Sequence, residues 1–252
     1  MDEKGGERRL KRRPAPKFWP IHRKEFVWTI EPKPGPHRIS HCLPLVLVVR
    51  DILRLAKTRK EAKTIISQGK IRVDGKVQLE EHFPIGLMDV ISIPEMKKTY
   101  RILPSKKGLI LHPIGKEEAP FKLCQIKDKN ILKGGHLQLN LHDGRNIKVQ
   151  VEDPQKPEED VFQTLDVLKT DIRSQEIVAH LKLAEGMLAV IVGGKNVGKY
   201  GKIVAIEERP NQKRRDSLVT IEDKNNSHFQ TTLSLIFVVG DTQPWISFPE
   251  DD

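Results

Sequence analysis

The sequence predicts an α+β protein of several small domains: a helix-plus-sheet module followed by two small β-barrel domains. Three observations carry this expectation. Apolar residues at helical spacing and a capping box fall between residues 43 and 69, and an Asp-Gly hairpin follows directly. Period-two alternation takes over from about residue 100 to 183 and again from 184 to 240. The length of 252 residues suits two or three small domains.

Taken in order, residues 1–42 read as a basic extended arm. "RRLKRRPAPKFWP" and "IEPKPGPHRIS" mix charge runs with prolines that prevent regular helix or sheet, so the arm is expected to order on a partner. Phe18, Trp19, Phe26 and Trp28 are positioned to pin it against the protein body or a stacked base. The module follows over 43–105. Pro44 suits a first helical turn, and Leu45, Val48, Ile52 and Leu55 form a helical stripe. Thr58 and Glu61 make a capping box for a second helix that runs through Ala62, Ile65 and Ile66 to Gly69, an αL stop. "KIRVDGKV" (70–77) reads as strand, tight turn and strand, and "MDVISI" (88–93) as a third strand. Arg59 and Lys60 stand in the first turn of the second helix, where basic residues oppose the macrodipole. That conflict makes sense if the turn faces an anion such as a phosphate.

The central β domain (106–183) contains the strands "FKLCQI" (121–126) and "HLQLNLHDGRNIKVQV" (136–151), with the acidic stretch 151–160 as a loop. A second small barrel spans 184–240, and 241–252 form a C-terminal tail. Its glycine-rich segment "IVGGKNVGKYGK" (191–202) imitates a nucleotide-binding loop in spacing. Tyr200 stands where the Mg²⁺-ligating Ser or Thr belongs, however, and "GKIVAI" predicts a strand where a helix is required. The segment therefore reads as a hairpin whose lysines lie where a phosphate backbone can pass.

The charge pattern points to nucleic acid. The chain carries 44 Lys and Arg against 34 Asp and Glu, a formal net charge of +10. Its isoelectric point near 9.5 matches the footprint of a nucleic-acid binder, roughly above 9. Residues 1–24 hold nine basic against three acidic side chains, and residues 50–76 hold nine against three again. No apolar run approaches a membrane span and no signal-peptide core is present, so the protein reads as soluble and intracellular. Cys42 and Cys124 make no disulfide framework. His37, Arg38, His41 and Cys42 crowd together but lack a fourth ligand at zinc spacing. Cys124 reads as a small buried strand residue and His142-Asp143 as hairpin-turn chemistry. No catalytic motif emerges, and no catalytic residue, metal or cofactor is expected.

Eight stretches in order resemble the archaeal and eukaryotic small-subunit ribosomal protein S4e family. They are "LKRRPAPKFW" (10–19), "GPHRISHCLPL" (35–45), "IRVDGKV" (71–77), "GLMDVISI" (86–93), "FKLC" (121–124), "GGKNVGKYGKI" (193–203), "LSLIFVVG" (233–240) and "PWISFP" (244–249). The resemblance implies that residues 43–105 are an RNA-binding module and that the last domain is an SH3-like barrel of the KOW type, its motif matching Gly194, Gly198 and Gly201. It further implies a structural constituent of the small ribosomal subunit, cytoplasmic and ribosome-bound, without enzymatic activity. The expected partners are small-subunit ribosomal RNA and neighbouring ribosomal proteins, with no membrane and no small-molecule substrate. The side chains expected on RNA are Arg8, Arg9, Lys11, Arg12, Arg13, Lys17, Arg23, Lys24 and Arg38 of the arm. The module adds Arg59, Lys60, Lys63, Lys70, Arg72 and Lys76, and the hairpin adds Lys195, Lys199 and Lys202. The chain stops soon after "PWISFP", without the longer basic tail of eukaryotic members, which implies an archaeal-type member. The alternatives are an RNA-modifying enzyme carrying a similar module, which needs a large domain with a catalytic Asp, and a KOW-bearing transcription factor.

Overall fold

The computed structural model describes residues 10–151, 160–207, 214–223 and 226–249. Arg8, Arg9 and most of the acidic stretch 151–160 lie outside them. Two compact units are present, one of Met1–Ile102 with Lys107–Pro113 and one of Leu103–Lys106 with Ile114–Asp252.

The first unit opens with strands β1 (Leu10–Lys11) and β2 (Trp28–Thr29), which pair antiparallel with Lys11 opposite Trp28. Next come β3 (Cys42–Pro44) and helix α1 (Leu45–Leu47), which widens into a π-helical turn over Val48–Ile52. The expected stripe covers only part of this helix, because every residue from Leu43 to Val49 except Pro44 is fully buried as a core hydrophobe. Pro44 stands just before the helix in extended conformation, and its fixed φ serves the strand end equally well. Helix α2 (Arg59–Ser67) starts at the expected capping box. Thr58 Oγ1 accepts from Glu61 N–H, while Glu61 accepts from the amides of Lys57 and Thr58. Gly69 follows with φ +72°, the left-handed geometry that ends a helix.

Strands β4 (Arg72–Val73) and β5 (Lys76–Val77) flank Asp74 and Gly75, both at positive φ as a tight hairpin turn requires. Strand β6 (Pro84–Gly86) pairs with β3. Strands β7 (Val90–Ile93), β8 (Lys98–Ser105) and β9 (Gly108–Pro113) complete a sheet in the order β5-β4-β7-β8-β9.

The arm departs from expectation. From Leu10 onward it packs on the module instead of waiting for a partner. Ala15, Trp19 and Ile30 belong to the same buried cluster as Leu45, Ile66 and Ile91, and Trp19 Nε1 donates to the carbonyl of Cys42 at 2.8 Å. The prolines argue against helix and sheet there, yet the two-residue pair β1–β2 forms, and burying one Trp with its N–H satisfied needs no regular structure at all.

The second unit holds two five-stranded antiparallel sheets. In the first, β10 (Phe121–Ile131), β11 (Leu137–Leu141), β12 (Asn146–Val149), β13 (Val167–Asp171) and β14 (Ile177–Leu181) run in the order β12-β11-β10-β13-β14. In the second, β15 (Leu188–Ile191), β16 (Tyr200–Glu207), β17 (Leu218–Glu222), β18 (His228–Thr232) and β19 (Ile236–Gly240) run in the order β18-β17-β16-β15-β19. A 3₁₀ turn at Leu233–Leu235 splits "HFQTTLSLIFVVG", which pure alternation presents as one strand. Gln125 joins the two sheets by donating to the carbonyls of Leu165 and Ile236. The tail folds back, with Ile246 buried and Phe248 stacked on Tyr200 at 4.6 Å.

Candidate nucleic-acid interface

The glycine hairpin is built from β15 and β16, with Leu188 opposite Lys202 and Val190 opposite Tyr200. Gly194 and Gly198 take φ of +82° and +86°, which only glycine adopts easily. At Gly201 any side chain would collide with the carbonyl oxygen of Glu222 on β17, so the third glycine permits close strand approach. Gly198 N–H donates to Ile191 O, and Ile191 N–H donates to Lys199 O. These amides serve the hairpin itself, and a strand follows the loop, so this is not the amide cradle followed by a helix that a triphosphate needs. Lys195 and Lys202 are exposed, and the Lys199 ammonium lies 3.6 Å from the Phe229 ring centre.

On the module, Lys60, Arg72 and Lys76 are exposed, and Lys70 pairs with Glu95 at 3.3 Å. The first turn of α2 does face an anion, but one from this chain. Arg59 donates through Nε and Nη2 to the two oxygens of Glu81, both at 3.1 Å, and Lys63 approaches the same carboxylate at 3.6 Å. Burial pushes the Glu81 carboxyl up. The Arg59 hydrogen bonds and the charges of Arg59, His82 and Lys63 outweigh it and hold the group below the ordinary carboxylate range. Only 7% of the Glu81 side chain is exposed, against 51% for Arg59 and 65% for Lys63, so the cations reach solvent while the acid stays below them.

The arm residues divide in two. Lys11, Arg13, Lys17, Lys24 and Arg38 are exposed. Arg12 and Arg23 instead hold the arm together. Arg12 is buried, donating to Trp28 O and His22 O and pairing with Glu25. Arg23 donates to the carbonyls of Arg12, Arg13, Ala15 and Pro16, closing the Pro-broken segment on one guanidinium.

His37 Nε2 lies 3.0 Å from both oxygens of Asp89 in a buried pair, while Arg38 and His41 are exposed. Burial and the Asp89 charge push the Cys42 thiol up to about 12. Cys124, His142 and Asp143 come together, but Lys122 Nζ and Arg145 Nε approach Asp143 Oδ2 at 3.0 and 3.2 Å. Burial also pushes the Cys124 thiol up to about 12, so it stays protonated. A metal cation there would meet two positive side chains and a thiol. The cluster is a buried ion-pair knot. Sequence reasoning missed it because Lys122 in "FKLC" carries no mark of burial. It also missed Glu81 and the Arg50–Asp51 pair, since only the fold shows what those charges face.

Basic side chains around α2, exposed lysines and arginines on a packed arm, and a lysine-bearing β hairpin define a modular nucleic-acid-binding protein. Comparison with known proteins narrows the class. The RS4NT domain family matches residues 4–40, the S4 domain family residues 43–91, and Ribosomal family S4e residues 96–177. The small ribosomal subunit protein eS4 of Staphylothermus marinus is 49% identical over 251 residues, covering 99% of each chain. That of Methanocaldococcus jannaschii is 49% identical over 98% of this chain and 99% of its own. The crystal structure of the 30S ribosomal protein S4e from Thermoplasma acidophilum aligns with a TM-score of 0.67 at 30% identity, over 80% of this chain and 96% of its own. The chain belongs to the S4e family of ribosomal proteins.

Proposed function

We propose that this protein is a structural constituent of the small ribosomal subunit, binding ribosomal RNA and supporting translation. The observation that carries the reading is the full-length match to relatives named as small-subunit proteins, with every basic element of the chain inside the matched region. The functional parts are the arm (1–42), the module (43–105), the central β domain (106–183), the KOW barrel (184–240) and the tail (241–252).

Phosphate contacts are assigned to the exposed cations Lys11, Arg13, Lys17, Lys24, Arg38, Lys60, Arg72, Lys76, Lys195 and Lys202. Arg59, Lys63, Lys70 and Lys199 join them by exchanging an intramolecular partner for a phosphate. Arg12 and Arg23 act one step back, by fixing the arm that carries the others. Neighbouring small-subunit proteins are the remaining partners, and the protein resides on cytoplasmic ribosomes. Among the described residues two five-stranded sheets follow the module, where an RNA-modifying enzyme needs a large catalytic domain. Among the described residues no helix is long and apolar enough to cross a membrane.

Sedimentation of cell lysate with and without Mg²⁺ tests the reading. The protein is expected to travel with intact small subunits at near-stoichiometric yield. Substoichiometric recovery, or migration apart from the subunit in Mg²⁺, overturns it.

A further inference from the structure

The arm carries a surface feature that phosphate binding does not use. Phe26 and Val27 are each 63% exposed and Trp28 is 48% exposed, three consecutive large apolar residues facing water. Scattered exposed hydrophobes are ordinary, whereas a contiguous group marks an interaction site. This group is also backed by cations. The Arg12 guanidinium lies 4.9 Å from the Phe26 ring centre, and the Lys11 ammonium 5.8 Å from that of Trp28, its partner across the β1–β2 pair.

The backing is fixed in place. Arg12 N–H donates to Val27 O, and its guanidinium donates to Trp28 O and His22 O. Ordering that a ligand would otherwise impose on these rings is already present. Beside Phe26 a cleft of about 250 Å³ runs between the arm and the start of α2, lined by Arg12, Glu25, Arg50, Asp51, Lys57 and Arg59 among others. It is smaller than the roughly 300–1,000 Å³ of a small-molecule site. Its two acids are tied to Arg12 and Arg50; at the module side Lys57 is exposed, and Arg59 can exchange Glu81 for a phosphate.

Resting on the ribosomal reading above, we propose that Phe26 and Trp28 form a stacking platform for unpaired bases of the ribosomal RNA. One splayed base lies against Phe26 at the cleft, and its phosphate meets Lys57 and Arg59. Single-stranded RNA is read in this manner, by aromatic faces with cations beside them. An apolar protein partner would have to bury Lys11, Lys57 and Arg59 with the rings. RNA neutralises those charges.

The test uses the full chain and a small-subunit ribosomal RNA transcript, measuring affinity across a salt series for the wild type and Phe26→Ala/Trp28→Ala. Loss of base stacking is expected to weaken binding between about fivefold and a hundredfold. The slope of log affinity against log salt should not change, because no phosphate contact is removed. Phe26→Tyr/Trp28→Phe, which keeps an aromatic face at both positions, should bind like the wild type. Thermal unfolding should be unaltered, since Trp28 serves Arg12 through its carbonyl and both rings are exposed. Affinity within twofold of the wild type at the same slope overturns the proposal, and shows that the patch meets protein or nothing. No saturable binding by the wild type would instead be the failure of the ribosomal reading itself.

Discussion

The basic face of the first unit and the middle of the second unit use the same chemistry at opposite depths. Around α2, Glu81 is covered and its partners Arg59 and Lys63 are half in solvent, so the cations can leave. In the central β domain, Lys122 and Asp143 are both out of solvent, at 0% and 1% exposure, and Arg145 closes the group. Burial pushes the Asp143 carboxyl up, yet the charges of Lys122, His142 and Arg145 bring it down to about 2. One arrangement suits exchange with a phosphate. The other suits holding β10 against the hairpin that follows it.

The largest expected effect breaks the buried arrangement. Asp143→Asn removes the carboxylate that the buried Lys122 ammonium and Arg145 share, which costs about 3–5 kcal/mol in urea unfolding. Replacing both buried partners with apolar residues, Lys122→Met with Asp143→Leu, should cost far less, because the buried ammonium goes with its carboxylate and Arg145 still reaches solvent. The acid limb follows from the sign of the shift. A carboxyl held at about 2 in the folded state, against 3.8 ordinarily, contributes stability above the ordinary value and loses it as pH falls toward 2. Asp143→Asn should therefore flatten the stability curve in that window. A curve of wild-type steepness would show that the pair is not coupled as the geometry indicates.

Next in size is the arm. Trp19→Ala removes a buried ring and its bond to Cys42 O, and is expected to cost about 3 kcal/mol. Limited proteolysis should then cut within residues 10–42 of the variant and spare the wild type. Cleavage of the free wild-type arm at the same rate would restore the expectation drawn from its prolines.

That reversal shows what sequence can carry. Local rules held where one residue type meets one geometry: the Thr58–Glu61 capping box, the positive φ of Gly69 and Gly75, and the strand after Gly201. They failed where the answer depends on distant residues. Proline spacing forbids helix in the arm but says nothing about Trp19 finding the carbonyl of Cys42. Arg59 in a first helical turn signals a missing anion, and the dipole argument correctly demanded one. It could not show that Glu81, 22 residues on, supplies it. Lys122 escaped for the same reason. Alternation places it on a face, and only the fold covers that face.

The smallest effect on stability sharpens the comparison most. Glu81→Gln removes the carboxylate beneath Arg59 and Lys63, yet both cations stay largely solvated, so the loss should be at most about 1 kcal/mol. The wild-type carboxyl is held low, so what it contributes is present above its ordinary pKa and fades as pH falls. Glu81→Gln should erase that dependence. RNA binding should move the other way. With no carboxylate competing, Arg59 and Lys63 are free to meet phosphate, so affinity rises and the salt slope steepens by up to roughly one to two units. Asp143→Asn measured alongside, under conditions where it remains folded, should alter neither affinity nor slope. The pair of variants thus separates exchangeable charge from fixed charge in one experiment. Unchanged affinity and slope for Glu81→Gln would mean that Arg59 and Lys63 serve Glu81 alone, and the RNA-facing assignment of α2 would then rest on Lys60.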